Sequence, residues 1–238
     1  MSMMTKLCST QNRLARTISQ LDFVPLVAIR VYLAPIFIIA GLHKWLHFSD
    51  MVAWFGNDDW GLGLPMPALM VSLAIFAELV GGVAILFGIA TRLFSIPMLI
   101  AMLVALFKVH WEHGWFAIAP SDPATSTAQF FAWFNIDLAQ QSLANSVEVG
   151  ERLGMARQIL EQHGNMDWLT ETGNFVVLNN GIEFAATYVV MLLVLLFFGA
   201  GKFLSVDYWL AKAMHKHTQP KTITYHEMKT SHDTFTKR

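Results

Sequence analysis

The sequence predicts an all-α integral membrane protein: a four-helix bundle with both termini cytoplasmic and a helical extracytoplasmic insert. Three observations predict it. Only 14% of the 238 residues are charged and 55% are hydrophobic, whereas soluble domains carry about 25% charged residues. Apolar runs recur at the length of about 20 residues that crosses a bilayer core of about 30 Å. Lys and Arg collect in the N-terminal segment, at Arg92 and in the C-terminal tail, while the other connections are acidic. That bias orients the basic connections toward the cytoplasm.

Residues 1–23 read as a cytoplasmic N-terminal segment with Lys6, Arg13 and Arg16. No cleavable signal is expected, because the first apolar run is too long for a signal core and no small-x-small cleavage site follows it. Leu14, Ile18 and Leu21 suit one side of a short interfacial helix. Residues 24–111 hold transmembrane helices one to three. In the first span, 24–46, Arg30, Ala34, Phe37, Gly41 and Lys44 follow alternating spacings of four and three. They therefore share one helical face, turned into the bundle. Pro35 is expected to kink this helix. The loop 47–66 carries Asp50, Asp58 and Asp59, with Trp54 and Trp60 placed for the membrane interface.

The second span runs from Pro67 to Arg92, and Glu78 is its only ionisable residue before Arg92. About 24 helical residues reach roughly 36 Å, enough to cross with some tilt. The third span, 93–111, follows almost at once, so the two form an antiparallel hairpin. Residues 112–180 form an extracytoplasmic insert with eight acids and only Arg152 and Arg157 as bases. Leu143, Val147, Leu153 and Leu160 predict one or two amphipathic helices, lying as a cap on the outer membrane surface. The fourth span is 181–204. The cytoplasmic tail, 205–238, carries Lys212, Lys216, Lys221, Lys229, Lys237 and Arg238.

The formal net charge is −1 and no basic patch interleaves with aromatics, so no nucleic-acid partner is expected. The single cysteine, Cys8, makes neither an intrachain disulfide nor a thiolate cluster. In the cytoplasm it stays reduced. No CxxC, CxxCH, Walker or GxGxxG pattern occurs.

A carboxylate at mid-membrane costs on the order of 3 kcal/mol or more. Glu78 must therefore face protein, water or a partner. Ala74, Gly81 and Gly82, at i−4, i+3 and i+4, give its helix a small-residue face for close approach. Four antiparallel spans put His43 and Lys44, His110 and Glu183 at the outer side. His47, Glu112 and His113 fall just beyond, and Arg30 lies toward the inner side. A structural account pairs Lys44 with Glu183, lets Arg30 snorkel to inner headgroups, keeps Glu78 protonated against backbone, and assigns the glycine pairs to packing. A chemical account makes Lys44, Glu78 and Glu183 the residues that act on a quinone or a proton, with Glu78 as relay. Lys44, His110 and Glu183 with a ring of Trp and Phe would supply the apolar slot, and Arg30 and His110 are the candidate cofactor-binding residues. His43 with His47, and His110 with His113, each place two imidazoles on one helix face. With Glu183 they would suit Zn or Cu, and a histidine from each of two helices would suit haem.

At these residues the sequence resembles the DoxX family of small four-helix bacterial membrane proteins. The likeness rests on Arg30 with Gly41-Leu42-His43-Lys44, and on Ala77-Glu78-Leu79-Val80-Gly81-Gly82 with Gly88 and Thr91-Arg92. Met102 and His110 follow, then Gly181-Ile182-Glu183 and Gly199-Ala200-Gly201 with Ser205-Val206-Asp207. It covers roughly 24–111 and 181–208, and the 112–180 insert is longer than the family's usual connection. The resemblance implies a role beside redox systems: quinol oxidation, sulfur compounds, oxidative-stress assemblies, or metal-handling peptide systems.

The expectation is therefore a multi-pass protein of the bacterial inner membrane, a non-catalytic or quinone-interacting subunit of a redox or oxidative-stress assembly. The lipid bilayer is one partner, and a membrane or periplasmic protein engages 112–180. The competing classes are a metal-handling or small-solute transporter and a non-catalytic scaffold. Transport would call for a homodimer, since four short spans enclose little volume.

Overall fold

The computed structural model describes residues 18–218 together with residues 11 and 15. Lys6, Cys8, Arg13, Leu14 and Arg16, then Lys221, Lys229, Lys237 and Arg238, lie outside the described residues, as does the side chain of Lys216. The described chain is helical, and a lone antiparallel bridge between Ile118 and Leu178 is its β pairing. It divides into two compact units, residues 1–48, 72–98 and 193–238, and residues 49–71 and 99–192.

In the first unit, α1 (Phe23–Leu46) is apolar on all sides, as a helix surrounded by lipid and protein must be. It buries Arg30, Leu33, Ala34, Phe37 and Gly41, the face that the spacing predicts. Pro35 lies inside this helix, which runs on through it. Membrane helices tolerate proline when the freed carbonyl is satisfied by neighbours.

The second apolar run is α3 (Pro67–Ile75), a π-helical turn (Phe76–Val80) and α4 (Gly81–Phe87). It follows α2 (Phe48–Gly56) in the chain. In the π-turn the Gly81 N–H reaches back five residues to the Phe76 carbonyl. One extra residue is thereby inserted into the helix, a feature that recurs at functional sites. The turn buries Ala77 and Glu78, and α4 buries Gly81, Gly82, Ala84 and Ile85. α1 packs against both.

α5 (Thr91–Val104) continues through a second π-turn (Ala105–His110) and a 3-10 turn (Trp111–His113). Three helical stretches are thus long and apolar enough to cross a membrane: Phe23–Leu46, Pro67–Phe87 and Thr91–His113. The fourth is shorter than the expected 181–204. α9 (Glu183–Phe198) has 16 residues, about 24 Å of helix. Gly199 and Gly201, at φ +77° and +84°, end it. α10 (Val206–Thr218) follows in the first unit.

The second unit carries most of the insert. α6 (Ala128–Ala132) packs on α7 (Asp137–His163), and α8 (Met166–Thr170) follows. α7 is one 27-residue helix whose inward face is Ala139, Ser146, Val149 and Leu153. Leu153 takes its expected place, whereas Val147 faces out. Ala139 and Ser146, small residues on this face, are ones that leucine spacing alone does not reveal.

The insert is closed at its base by a neck. Ala119 N–H donates to the Val177 carbonyl at 2.9 Å, and both Asn179 and Asn180 donate to Ala117 O at 2.9 Å. Gly181 donates to Phe116 O at 3.0 Å, and Ile182 to Gly114 O at 2.9 Å. Backbone that leaves a membrane helix must find such partners.

Candidate functional site

Lys44 lies one helical turn beyond Gly41, on the same face of α1. A Cβ at Gly41 would sit 2.8 Å from Leu79 N and 3.1 Å from Glu78 Cβ. The absence of a side chain there lets α1 ride directly on the π-turn. That close approach brings Lys44 Nζ to 2.7 Å from Glu78 Oε2. Glu78 is 4% exposed and Lys44 20%. The pair is charge-assisted, hydrogen-bonded and largely out of water, so each group's charge is tolerable because of the other.

This corrects the expected pairing of Lys44 with Glu183. Glu78 is the deeper carboxylate, with the greater need of a counter-charge, and the Gly41 crossing delivers Lys44 to it. Glu183 instead belongs to the neck. Its Oε2 accepts the Ala117 N–H at 3.1 Å, and its own N–H donates to Trp115 O at 2.9 Å. His110 also serves the neck, with Nδ1 2.8 Å from the Asn180 carbonyl. The Asn179 amide nitrogen bridges the carbonyls of His113 and Phe116.

Arg30 does not snorkel. It is buried, and its guanidinium gathers carbonyls from the stretches where two helices end. Nε donates to Ile85 O at 2.6 Å and Nη2 to Leu86 O at 2.7 Å. Nη1 donates to Ala200 O at 2.8 Å and Leu204 O at 2.9 Å. These carbonyls lie in the last turn of α4 and the non-helical turn after α9, and Ile85 O also accepts the Gly88 N–H at 3.1 Å. The planar guanidinium fork can serve several at once. Four of its donations are committed to backbone, so Arg30 is a lock between chain segments.

Asp207 completes the lock. Its carboxylate accepts the N–H of Ala90 at 2.6 Å and of Thr91 at 3.0 Å, and its N–H donates to Gly88 O at 2.9 Å. It thus caps the start of α5 from a distant position in the chain. Sequence reasoning noted Asp207 within a motif and gave it no role. The signal present was an acidic residue in the first turn of a helix, which reads as its own helix's charge rather than another's cap.

Each pair of histidines expected at a metal has its own local arrangement. His43 and His47 stack with ring centroids 4.4 Å apart, and His47 Nδ1 lies 3.0 Å from the His43 carbonyl. His110 and His113 sit in the neck segment. Among the described residues, no three His, Cys, Asp or Glu gather into a group able to hold a metal ion.

The fold and these contacts define a class: a polytopic α-helical membrane protein with a buried ion pair on a π-turn and a guanidinium lock at its helix ends. Within it, residues 26–111 match the DoxX family model. Arg30, Lys44, Glu78, Asp58 and His110 fall inside that match; Glu183 and Asp207 fall outside it. No curated protein and no solved structure matches the chain.

Proposed function

We propose that this protein is a subunit of a membrane redox or oxidative-stress assembly, in which the Lys44–Glu78 pair handles a proton for a membrane quinone. The observation that carries the reading is the ion pair itself, held within an apolar span on a turn with an extra residue. Intramembrane ionisable residues of this kind serve proton relays and substrate paths.

Lys44 fits a quinone oxygen. Its ammonium has three N–H donors, Glu78 takes one, and part of the side chain remains open. Trp45 beside it is exposed. A quinol held there supplies two protons and two electrons on oxidation, and the electrons pass to a redox partner in the assembly. Lys44 orients the oxygen, Glu78 receives one of the two protons at its carboxylate, and the second passes to water on the open side of Lys44. The Gly41 crossing keeps both groups in register and excludes bulk water from the carboxylate. In this reading the protein lies in the bacterial inner membrane with both termini cytoplasmic, and residues 112–180 are open to a membrane or periplasmic protein.

Detergent-purified protein, extracted for quinone and examined by optical spectroscopy and elemental analysis, tests the reading. Quinone should co-purify with the native chain and be lost from Lys44→Met. Quinone-free native protein, with assembly turnover unchanged by Glu78→Gln, overturns it.

A further inference from the structure

We infer that the insert carries its own membrane anchor: the aromatic segment 128–138 dips into the lipid interface at the foot of the neck. The inference is independent of the quinone reading and uses none of its residues.

Phe130 is the hub of a ring cluster, with centroids 5.4 Å from Phe131, 5.9 Å from Trp133 and 5.5 Å from Phe134. The cluster is not a core. Trp133 is 74% exposed, Phe134 66% and the nearby Leu138 77%. Exposed aromatic rings in mutual contact are a candidate interaction surface.

Three observations favour lipid as its occupant. From Ala128 to Ile136 the chain has no ionisable residue; the first is Asp137. The patch is built of Phe and Trp, the residues that settle at the boundary between headgroups and acyl chains. And the neck keeps the insert close to that boundary. Residues 114–119 are bonded to 177–183, directly between the Thr91–His113 span and the start of α9. Trp111, at the end of the span, and Trp115, in the neck, are exposed as well. The acids Glu148 and Glu151 are exposed on α7, a solvated face for a helix lying on a membrane.

The test uses the full chain reconstituted in phosphatidylcholine vesicles. Cys8→Ser removes the native thiol, and Phe134→Cys carries an environment-sensitive fluorophore. Glu151→Cys, labelled likewise, is the aqueous control. The label at 134 should emit to the blue of the label at 151 and lose emission to lipids spin-labelled near the headgroup, while aqueous iodide quenches it weakly. The label at 151 should show the reverse. Water-like emission at 134 with strong iodide quenching overturns the anchor. So does a label at 134 shielded from both quenchers, which would assign the patch to a protein contact. Phe131→Cys, labelled in the same way, repeats the reading should Phe134→Cys fold poorly.

Discussion

A lysine and a glutamate held out of water depend on each other more than on anything else around them. Removing one partner of such a pair strands the other, at a cost of about 3–5 kcal/mol when both are fully buried. Lys44 is partly open, so Lys44→Met should fall near the lower end, about 3 kcal/mol. Lys44→Met with Glu78→Leu should regain most of that loss, because an apolar pair needs no counter-charge. Unfolding in a denaturing detergent, followed by circular dichroism, checks both, and a double variant as unstable as the single one contradicts the pairing. Thr91 makes a different point. It is fully buried, its N–H is capped by Asp207 and its carbonyl accepts from Ser95, yet its hydroxyl has no partner among the described residues. An unmet buried hydroxyl costs on the order of 1–3 kcal/mol, so Thr91→Val should raise the melting temperature. A lower one would show that the hydroxyl is satisfied. At this scale the sequence shows which residues share a face: Arg30, Gly41 and Lys44 lie where their spacing puts them. It does not show what each one meets, because a partner is chosen by how two helices cross.

The elements were legible wherever hydropathy alone decides them. Three long spans follow from three long apolar runs. The π-turn was not legible, since Phe76–Val80 has no proline and no composition that marks an extra residue. The end of α9 was only partly so: Gly199 and Gly201 stand in plain view, but hydropathy runs on to Leu204 and extends the span past them. The short turn after Phe87 is where element and lock meet. Gly88 has φ +67°, and a Cβ there would lie 2.5 Å from Ser205 Cβ and 2.9 Å from the Arg30 guanidinium. Left-handed backbone costs a non-glycine residue about 1–2 kcal/mol, and overpacking adds about 1–3. Gly88→Ala should therefore cost about 2–5 kcal/mol by the same unfolding measurement. Arg30→Lys should be comparably harmful, because one ammonium cannot reach four carbonyls on two segments. A mild Arg30→Lys, alongside a severe Gly88→Ala, would place the strain in the turn and not in the lock.

For the whole molecule, the membrane class was plain from the charge deficit, and the insert was visible as an acidic, patterned stretch. Its attachment was not visible, because the neck is made by backbone groups that any sequence possesses. Glu183 was read as a counter-charge for that reason, when it is a bolt in the neck. The neck gives an expected outcome. Replacing residues 120–176 by a short Gly-Ser linker should leave the spans inserted and as stable toward detergent as the native chain. Closing about 57 residues costs only about 2 kcal/mol more than closing a seven-residue turn. Loss of the spans from the membrane fraction would show that the insert holds them in place. The neck also has a mechanical meaning. Its bonds stand in a row, so a pull on the two strands of the insert would load Ala119–Val177 first and reach Glu183, in the first turn of α9, last.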